Sequence, residues 1–227
     1  MISRKLFEES LTKPMQFWSV KSKDDVRALL GAEAAQMVNY DQRNPHHCFD
    51  LFLHTLHTVE FVGSGSPASL LAAAFFHDIG KPYVAQEKQG RLVFHGHAQK
   101  SAEIARRLLY SLGYTGPQID RICFYISHHD DFISWVLPEE PYNHENPYLI
   151  EITAHNVASH IEREAAGNQS LPDIQLYKMW SDLLLLCRAD ASAQAELVYR
   201  DGMLIDSREH KLRKIESICT ALQEVFS

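Results

Sequence analysis

The chain predicts an all-α fold, and three observations predict it. The run Leu70-Leu71-Ala72-Ala73-Ala74-Phe75-Phe76 has no polar face at all, which is the mark of a helix buried on every side. Apolar residues recur at helical spacing through most of the rest of the chain. No alternating pattern is long enough for a real sheet, and no internal repeat, low-complexity tract or glycine-rich phosphate loop interrupts the helices. The expectation is a helical bundle packed around the 70–76 segment.

Residues 3–20 predict a short helix and loop that offer Phe7, Leu11, Phe17 and Trp18 for packing. Ser22-Lys-Asp-Asp-Val reads as a helix start with acid in its first turn, followed by a stripe of Val26, Leu29, Leu30 and Met37. Asn44-Pro45 ends that region. Over 46–62, Phe49, Phe52, Leu53, Leu56 and Val59 form an apolar stripe, with Asp50, His54 and Thr58 along one flank, and Gly63 to Pro67 closes the helix. The buried helix then carries His77-Asp78-Ile79-Gly80-Lys81 at its C-terminal end, where Gly80 is expected to stop it and Pro82 to prevent a restart. Residues 83–96 predict a loop or short hairpin.

Phe94-His95-Gly96-His97 leads into a helix with the stripe Ser101, Ile104, Ala105, Leu108 and Leu112, and His97 faces its core side. Helix 117–130 turns Ile119, Ile122, Cys123 and Ile126 inward and ends in Ser127-His128-His129-Asp130, where helical angle favours His129 over His128 as the inward residue. An irregular acidic segment over 131–147 predicts a lid or binding loop. Helices are expected at 148–166, at 173–199 with Asp190 on its core face, and at about 208–226. The 227 residues read as a single domain, its core at about 40–200, with a loop-helix insertion at about 131–170 and the C-terminal helix added to it.

Composition narrows the function classes. A formal net charge of −7 argues against non-specific binding to long nucleic acid but leaves room for a small phosphorylated substrate. Four scattered cysteines without a Cys-x-x-Cys pair suit reduced thiols in the cytoplasm. Neither a signal-peptide run nor a bilayer-length apolar segment is present, so no membrane role is expected. The 13 histidines are the one unusual feature.

Periodicity points His54, His77, Asp78 and Asp190, from three apolar helices, toward the interior. An unpaired buried charge costs several kcal/mol, and a metal cation shared between helices is an economical partner for carboxylate and neutral imidazole. The order His…His-Asp…Asp, with Ile-Gly-Lys after the His-Asp, resembles the HD superfamily of metal-dependent phosphohydrolases. In particular it resembles the HD domain attached to bacterial tRNA nucleotidyltransferases, the CCA-adding enzymes. Their His-x3-Asp-x3-His-Thr run is matched by His46, Asp50, His54 and Thr55, their Phe-x-Gly-His by Phe94 to His97, and their Ala-Asp by Ala189-Asp190. No nucleotidyltransferase head accompanies these motifs in the chain, so an HD unit standing alone, without CCA addition, is expected. The stretch between His129 and Asp190 is long for the family.

The resemblance implies an HD-domain bundle with a divalent metal site between helices, one ion or two, of Mg, Mn, Fe, Ni, Co or Zn. The ligands implied are His54, His77, Asp78 and Asp190, with His97 and His128 or His129 for a second ion. The alternative is that the added histidines touch substrate phosphate. It implies hydrolysis of a nucleotide or other small phosphate ester by a metal-activated water, with Asp78 and Lys81 as catalytic residues, Lys81 offsetting phosphoryl charge. A di-iron oxygenase on the same fold, and a nucleotide-sensing module, are the competing classes. His46, His95 and Arg121 are candidates for supporting or substrate groups, and His144, His155, His160 and His210 are expected at the surface.

Overall fold

The computed structural model describes residues 2–141, 146–164, 172–200 and 203–227. His144 and the end of the expected 148–166 helix lie outside the described residues. In chain order the helices are α1 (Arg4–Leu11), α2 (Pro14–Trp18), α3 (Lys23–Leu30), α4 (Ala32–Ala35), α5 (Leu51–Val62), α6 (Ala68–Phe76), α7 (Lys81–Val84), α8 (His97–Ser111), α9 (Gly116–His128), α10 (Ala154–Glu164), α11 (Asp173–Ser192) and α12 (Ser207–Val225). Three small strand pairs accompany them: β1 (Gln86–Lys88) with β2 (Arg91–Val93), β3 (Trp135–Val136) with β4 (Ile150–Glu151), and β5 (Leu197–Arg200) with β6 (Met203–Asp206). The fold is an all-α bundle.

Helix α6 is its axis. Every residue from Leu70 to Phe76 is buried, and α1, α5, α8, α9 and α11 all pack on it. Burial of that run, with the rings of Phe7, Trp18 and Phe52 around Phe75, ties the first helices to the centre of one continuous apolar core.

Local chemistry sets the helix ends. Ser22 and Asp25 form a reciprocal capping box on α3, and Thr115 and Gln118 form another on α9. Asp50 does not ride on a helix flank as expected. It caps α5, its carboxylate accepting from the Phe52 and Leu53 amides at 2.8 and 3.0 Å, so the helix begins at Leu51 and Phe49 lies before it.

Gly80 and Pro82 act differently from the helix-stop reading. Gly80 is right-handed and opens a further helical turn, α7, with Pro82 in its first turn. Its lack of a side chain serves close approach: a Cβ there would lie 2.5 Å from the Ser101 amide nitrogen and 2.7 Å from the His97 carbonyl oxygen. Gly80 thereby lets the end of α6 press against the start of α8. Gly96, with φ of +76°, makes the turn that places His97 at the first position of α8.

The expected helix 173–199 stops at Ser192, because the Ala195 amide leaves the helical ladder to bond the His46 carbonyl at 2.8 Å. Val198 is buried from a strand, and the β5–β6 hairpin fills the space before α12.

Candidate metal centre

Four imidazoles and two carboxylates meet where α5, α6, α8, α9 and α11 converge. His54 comes from the first turn of α5, His77-Asp78 from the turn after α6, His97 from the start of α8, His129 from the end of α9 and Asp190 from α11. His54, His77 and Asp78 are essentially inaccessible, His97 and His129 nearly so, and Asp190 is open on one side.

Two groups of ligand atoms share Asp78. In the first, His54 Nε2 lies 2.9 Å from Asp190 Oδ1 and 3.5 Å from Asp78 Oδ2, while His77 Nε2 lies 3.2 Å from Asp78 Oδ2 and 3.6 Å from Asp190 Oδ1. In the second, Asp78 Oδ1 lies 3.3 Å from His97 Nε2 and 3.7 Å from His129 Nε2, and those two nitrogens are 3.2 Å apart. Within each group the candidate ligand atoms are all within 4.8 Å of one another, compatible with bonds of about 2.0–2.2 Å to one ion.

The outer ring nitrogens settle which face each histidine presents. Nδ1 donates to a main-chain carbonyl in every case: His54 to Ala193 at 3.3 Å, His77 to Ala74 at 2.8 Å, His97 to Phe94 at 2.9 Å and His129 to Ile126 at 2.7 Å. In the neutral ring that leaves the Nε2 lone pair aimed inward, which is how proteins orient metal-binding histidines. The inward atoms are close but not aligned on one another: His54 Nε2, His77 Nε2 and Asp78 Oδ1 are buried without a hydrogen bond. Two lone pairs 3.2 Å apart, on His97 and His129, need a proton or a cation between them. The donor set and the orphaned atoms therefore fit a divalent metal ion in each group.

The charges agree. Burial alone pushes His77 down, yet Asp78 and Asp190 together raise it to about 10. His54 and His97 are likewise raised, against burial, by the close approach of the Asp190 and Asp78 carboxylates for the one and of Asp78 for the other. Burial pushes Asp78 up, but His77 and Lys81 more than reverse it and hold its carboxyl well below the usual range.

Three expectations need correction. His128 is not brought to the cluster; its Nδ1 donates to Asp131 Oδ2 at 2.7 Å, because the residue next to an inward helix position points about 100° away. Lys81 does not line the pocket. Its ammonium is 2.6 Å from Asp78 Oδ2 and 3.1 Å from Gln42 Oε1, buried over the Phe94 ring. His160 is buried, not superficial, with Phe132, Trp135 and Trp180 around its ring. His155, His95 and Arg121 are exposed, His210 pairs with Glu140 at the surface, and His46 joins Ser207 Oγ at 3.0 Å.

Residues that periodicity did not single out complete the surroundings. His47 packs edge-on to His54 and lies 3.5 Å from Lys81, and burial with the Lys81 charge drives its imidazole pKa far down, so it stays neutral. A pocket of about 530 Å³ opens on Asp190 and His129, so it reaches both groups of ligands. Phe132, Ile133, Ala191, Gln194 and residues of β6 and α12 line it as well. Its volume lies within the usual range for small-molecule sites.

The match to known proteins follows the same geometry. The CC-adding tRNA nucleotidyltransferase of Thermus thermophilus is 34% identical over 113 residues, which cover 48% of this chain and 25% of that protein. The chain therefore spans about a quarter of that curated relative. No helix among the described residues is long and apolar enough to cross a membrane. The HD domain profile matches residues 46–191, more than half of the chain and the whole span from His54 to Asp190; this chain belongs to the HD-domain family.

Proposed function

We propose that the chain is a metal-dependent phosphohydrolase acting on a nucleotide or another small phosphate ester. The observation that carries this reading is the position of the pocket, which touches Asp190 of the first ligand group and His129 of the second. An ester seated there has its phosphorus beside the cluster and the rest of its body among Phe132, Ile133 and Ile215.

In this reading His54, His77, Asp78 and Asp190 hold one divalent ion, and Asp78, His97 and His129 hold a second. Bound cations supply an acidified water and offset charge on phosphoryl oxygens. The rest is the work of the chain. Asp78 bridges the two groups through its separate oxygens. Lys81 is a positioning residue that keeps Asp78 ionised and oriented from 2.6 Å. Asp130, part-exposed in the pocket and 3.9 Å from His97 Nδ1, is a carboxylate placed to move a proton. The apolar walls exclude bulk water, which strengthens every charge interaction inside.

The test is a screen of phosphomonoesters, cyclic nucleotides and dinucleotides with several divalent metals, paired with iron analysis and oxygen uptake. Ester hydrolysis that needs an added divalent ion is the expected result. Oxygen consumption by an iron-loaded protein that hydrolyses none of them would transfer the site to the oxygenase class.

A further inference from the structure

Part of the pocket lining lies beyond residue 191, outside the stretch matched by the family. It consists of Ile205 to Ser207 and one face of α12, and it carries two half-buried lysines, Lys211 and Lys214. Neither has an ion-pair partner among the described residues. Lys211 bonds the Gln194 side-chain oxygen, and Lys214 donates to the Ile133 carbonyl at 3.0 Å. Carboxylates do line the pocket, but Asp190 faces His54 and Gln194, and Asp206 caps α12 by accepting from the Glu209 amide. Asp130 also lines the pocket, but no carboxylate among the described residues is in ion-pair contact with either lysine, so two half-buried ammonium groups line the pocket without a paired anion. Burial lowers the pKa of both.

The two lysines sit at different depths. Gln194 joins Lys211 directly to Asp190, since its amide nitrogen is 3.1 Å from Asp190 Oδ2. Lys214 is three residues on, about 4.5 Å further along the helix axis, and contacts the loop wall at Ile133. An ion pair from Arg213 to Glu139 at 2.7 Å and a hydrogen bond between His210 and Glu140 at 2.6 Å clasp that loop to α12. Ile215 and Ile218 line the pocket on the same helix.

We propose that Lys211 and Lys214 form an anion subsite, so that the preferred ligand is a phosphate ester with a second anionic group separated from the first by an apolar or ring segment. Lys211 takes the phosphate over the cluster, and Lys214 takes the distal anion. The proposal rests on the hydrolase reading only for which end reacts.

Binding separates the two. Calorimetry on metal-loaded protein would compare an alkane monophosphonate with the matching α,ω-bisphosphonate, neither of which can be hydrolysed. The wild type should bind the bisphosphonate about tenfold more tightly. Lys214→Met should erase that preference while leaving the monophosphonate within about twofold, Lys214→Arg should restore it, and Lys211→Met should weaken both probes. The corresponding alkyl phosphates serve for turnover, where Lys214→Met should raise KM for the bisphosphate alone. Equal binding of the two probes by the wild type, or a preference that survives Lys214→Met, would overturn the subsite, even if both esters are hydrolysed. A Lys214-dependent preference in a protein that hydrolyses none of the screened esters would leave the subsite standing and remove the hydrolase reading.

Discussion

Two histidine–aspartate clusters, one buried and one partly exposed, lie side by side at the end of α9, and only the buried one has the geometry of a metal centre. Around Asp131, His128 Nδ1 and His160 Nε2 both donate to the same carboxylate, at 2.7 and 3.0 Å, and Arg163 donates to the other nitrogen of His160 at 2.6 Å. Burial pushes the Asp131 carboxyl up, but the two imidazole hydrogen bonds reverse this and hold it below its usual value. None of these ring or carboxylate atoms is among the buried orphans. Around Asp78 the composition is similar and the outcome opposite: four Nε2 atoms converge, and three of the inward atoms have no hydrogen bond. The contrast teaches that alignment separates a clasp from a metal site. A clasp points each donor at an acceptor, whereas a metal site points lone pairs at one another and leaves a cation to fill the centre.

The largest effect should come from Asp78→Ala. It removes the only carboxylate common to both ligand groups and leaves Lys81 buried without its partner. Both metal equivalents should be lost and turnover should fall by about 10³-fold or more, with the protein still largely helical by circular dichroism. Wild-type metal content by elemental analysis would erase the distinction between the clusters.

Chelation is the next test. An ion present at about a thousand times its dissociation constant stabilises the native state by about 4 kcal/mol, so its removal should lower Tm by roughly 10 °C. The effect should depend on pH. In the metal-free protein protons replace the cation, and His77, raised to about 10, contributes stability that is complete below its ordinary range near 6.5 and is lost as pH rises through about 10. The gap in Tm between loaded and chelated protein should therefore widen from about pH 6.5 upward. Proton release on metal loading in weak buffer, read with an indicator dye, checks the same exchange. A Tm insensitive to chelator after confirmed metal loss would mean that the Asp78 cluster is satisfied as the Asp131 cluster is.

Part of this contrast is legible in the chain and part is not. Long apolar helices act as rulers: α6 identifies itself by composition, and His54 and Asp190 are assigned an inward face by their registers on α5 and α11. The preference for His129 over His128 follows from the same 100° step, and the structure brings His129 to Asp78. What cannot be read depends on segments without a period. His47 and Gln42 sit in the irregular stretch before α5, and the break after Ser192 hinges on one long-range bond from Ala195 to His46. Lys81 has several rotatable bonds, and sequence spacing does not say whether its ammonium goes to substrate or to Asp78. His160 sits on a helix whose burial depends on the aromatic residues of two other segments, which spacing within one helix cannot reveal.

His97→Ala probes the boundary within the metal centre. Residues His54, His77, Asp78 and Asp190 remain complete in this variant, so about one metal equivalent should be lost and one kept. Turnover should fall by about 10²-fold with a smaller change in KM, since the lost ion would act mainly on charge that develops in the transition state. Full metal content with a raised KM would instead place His97 on substrate.

The smallest effect should come from His128→Ala, set against His129→Ala one position along. The two side chains leave adjacent residues of α9 but serve different clusters: His129 Nε2 faces Asp78, and His128 faces Asp131 and packs on Phe124 with ring centroids 4.6 Å apart. Loss of His128 removes one of two hydrogen bonds to Asp131, while His160 and Arg163 keep the clasp partly closed. The cost should be about 1–2 kcal/mol, a fall in Tm of roughly 2–8 °C, with metal content unchanged. His129→Ala should show the complementary pattern, loss of about one metal equivalent, because its ring contributes to the cluster centre. Melting curves and elemental analysis of the two variants, measured side by side, decide the matter. Metal loss in His128→Ala with full metal in His129→Ala would reverse the assignment of the two clusters.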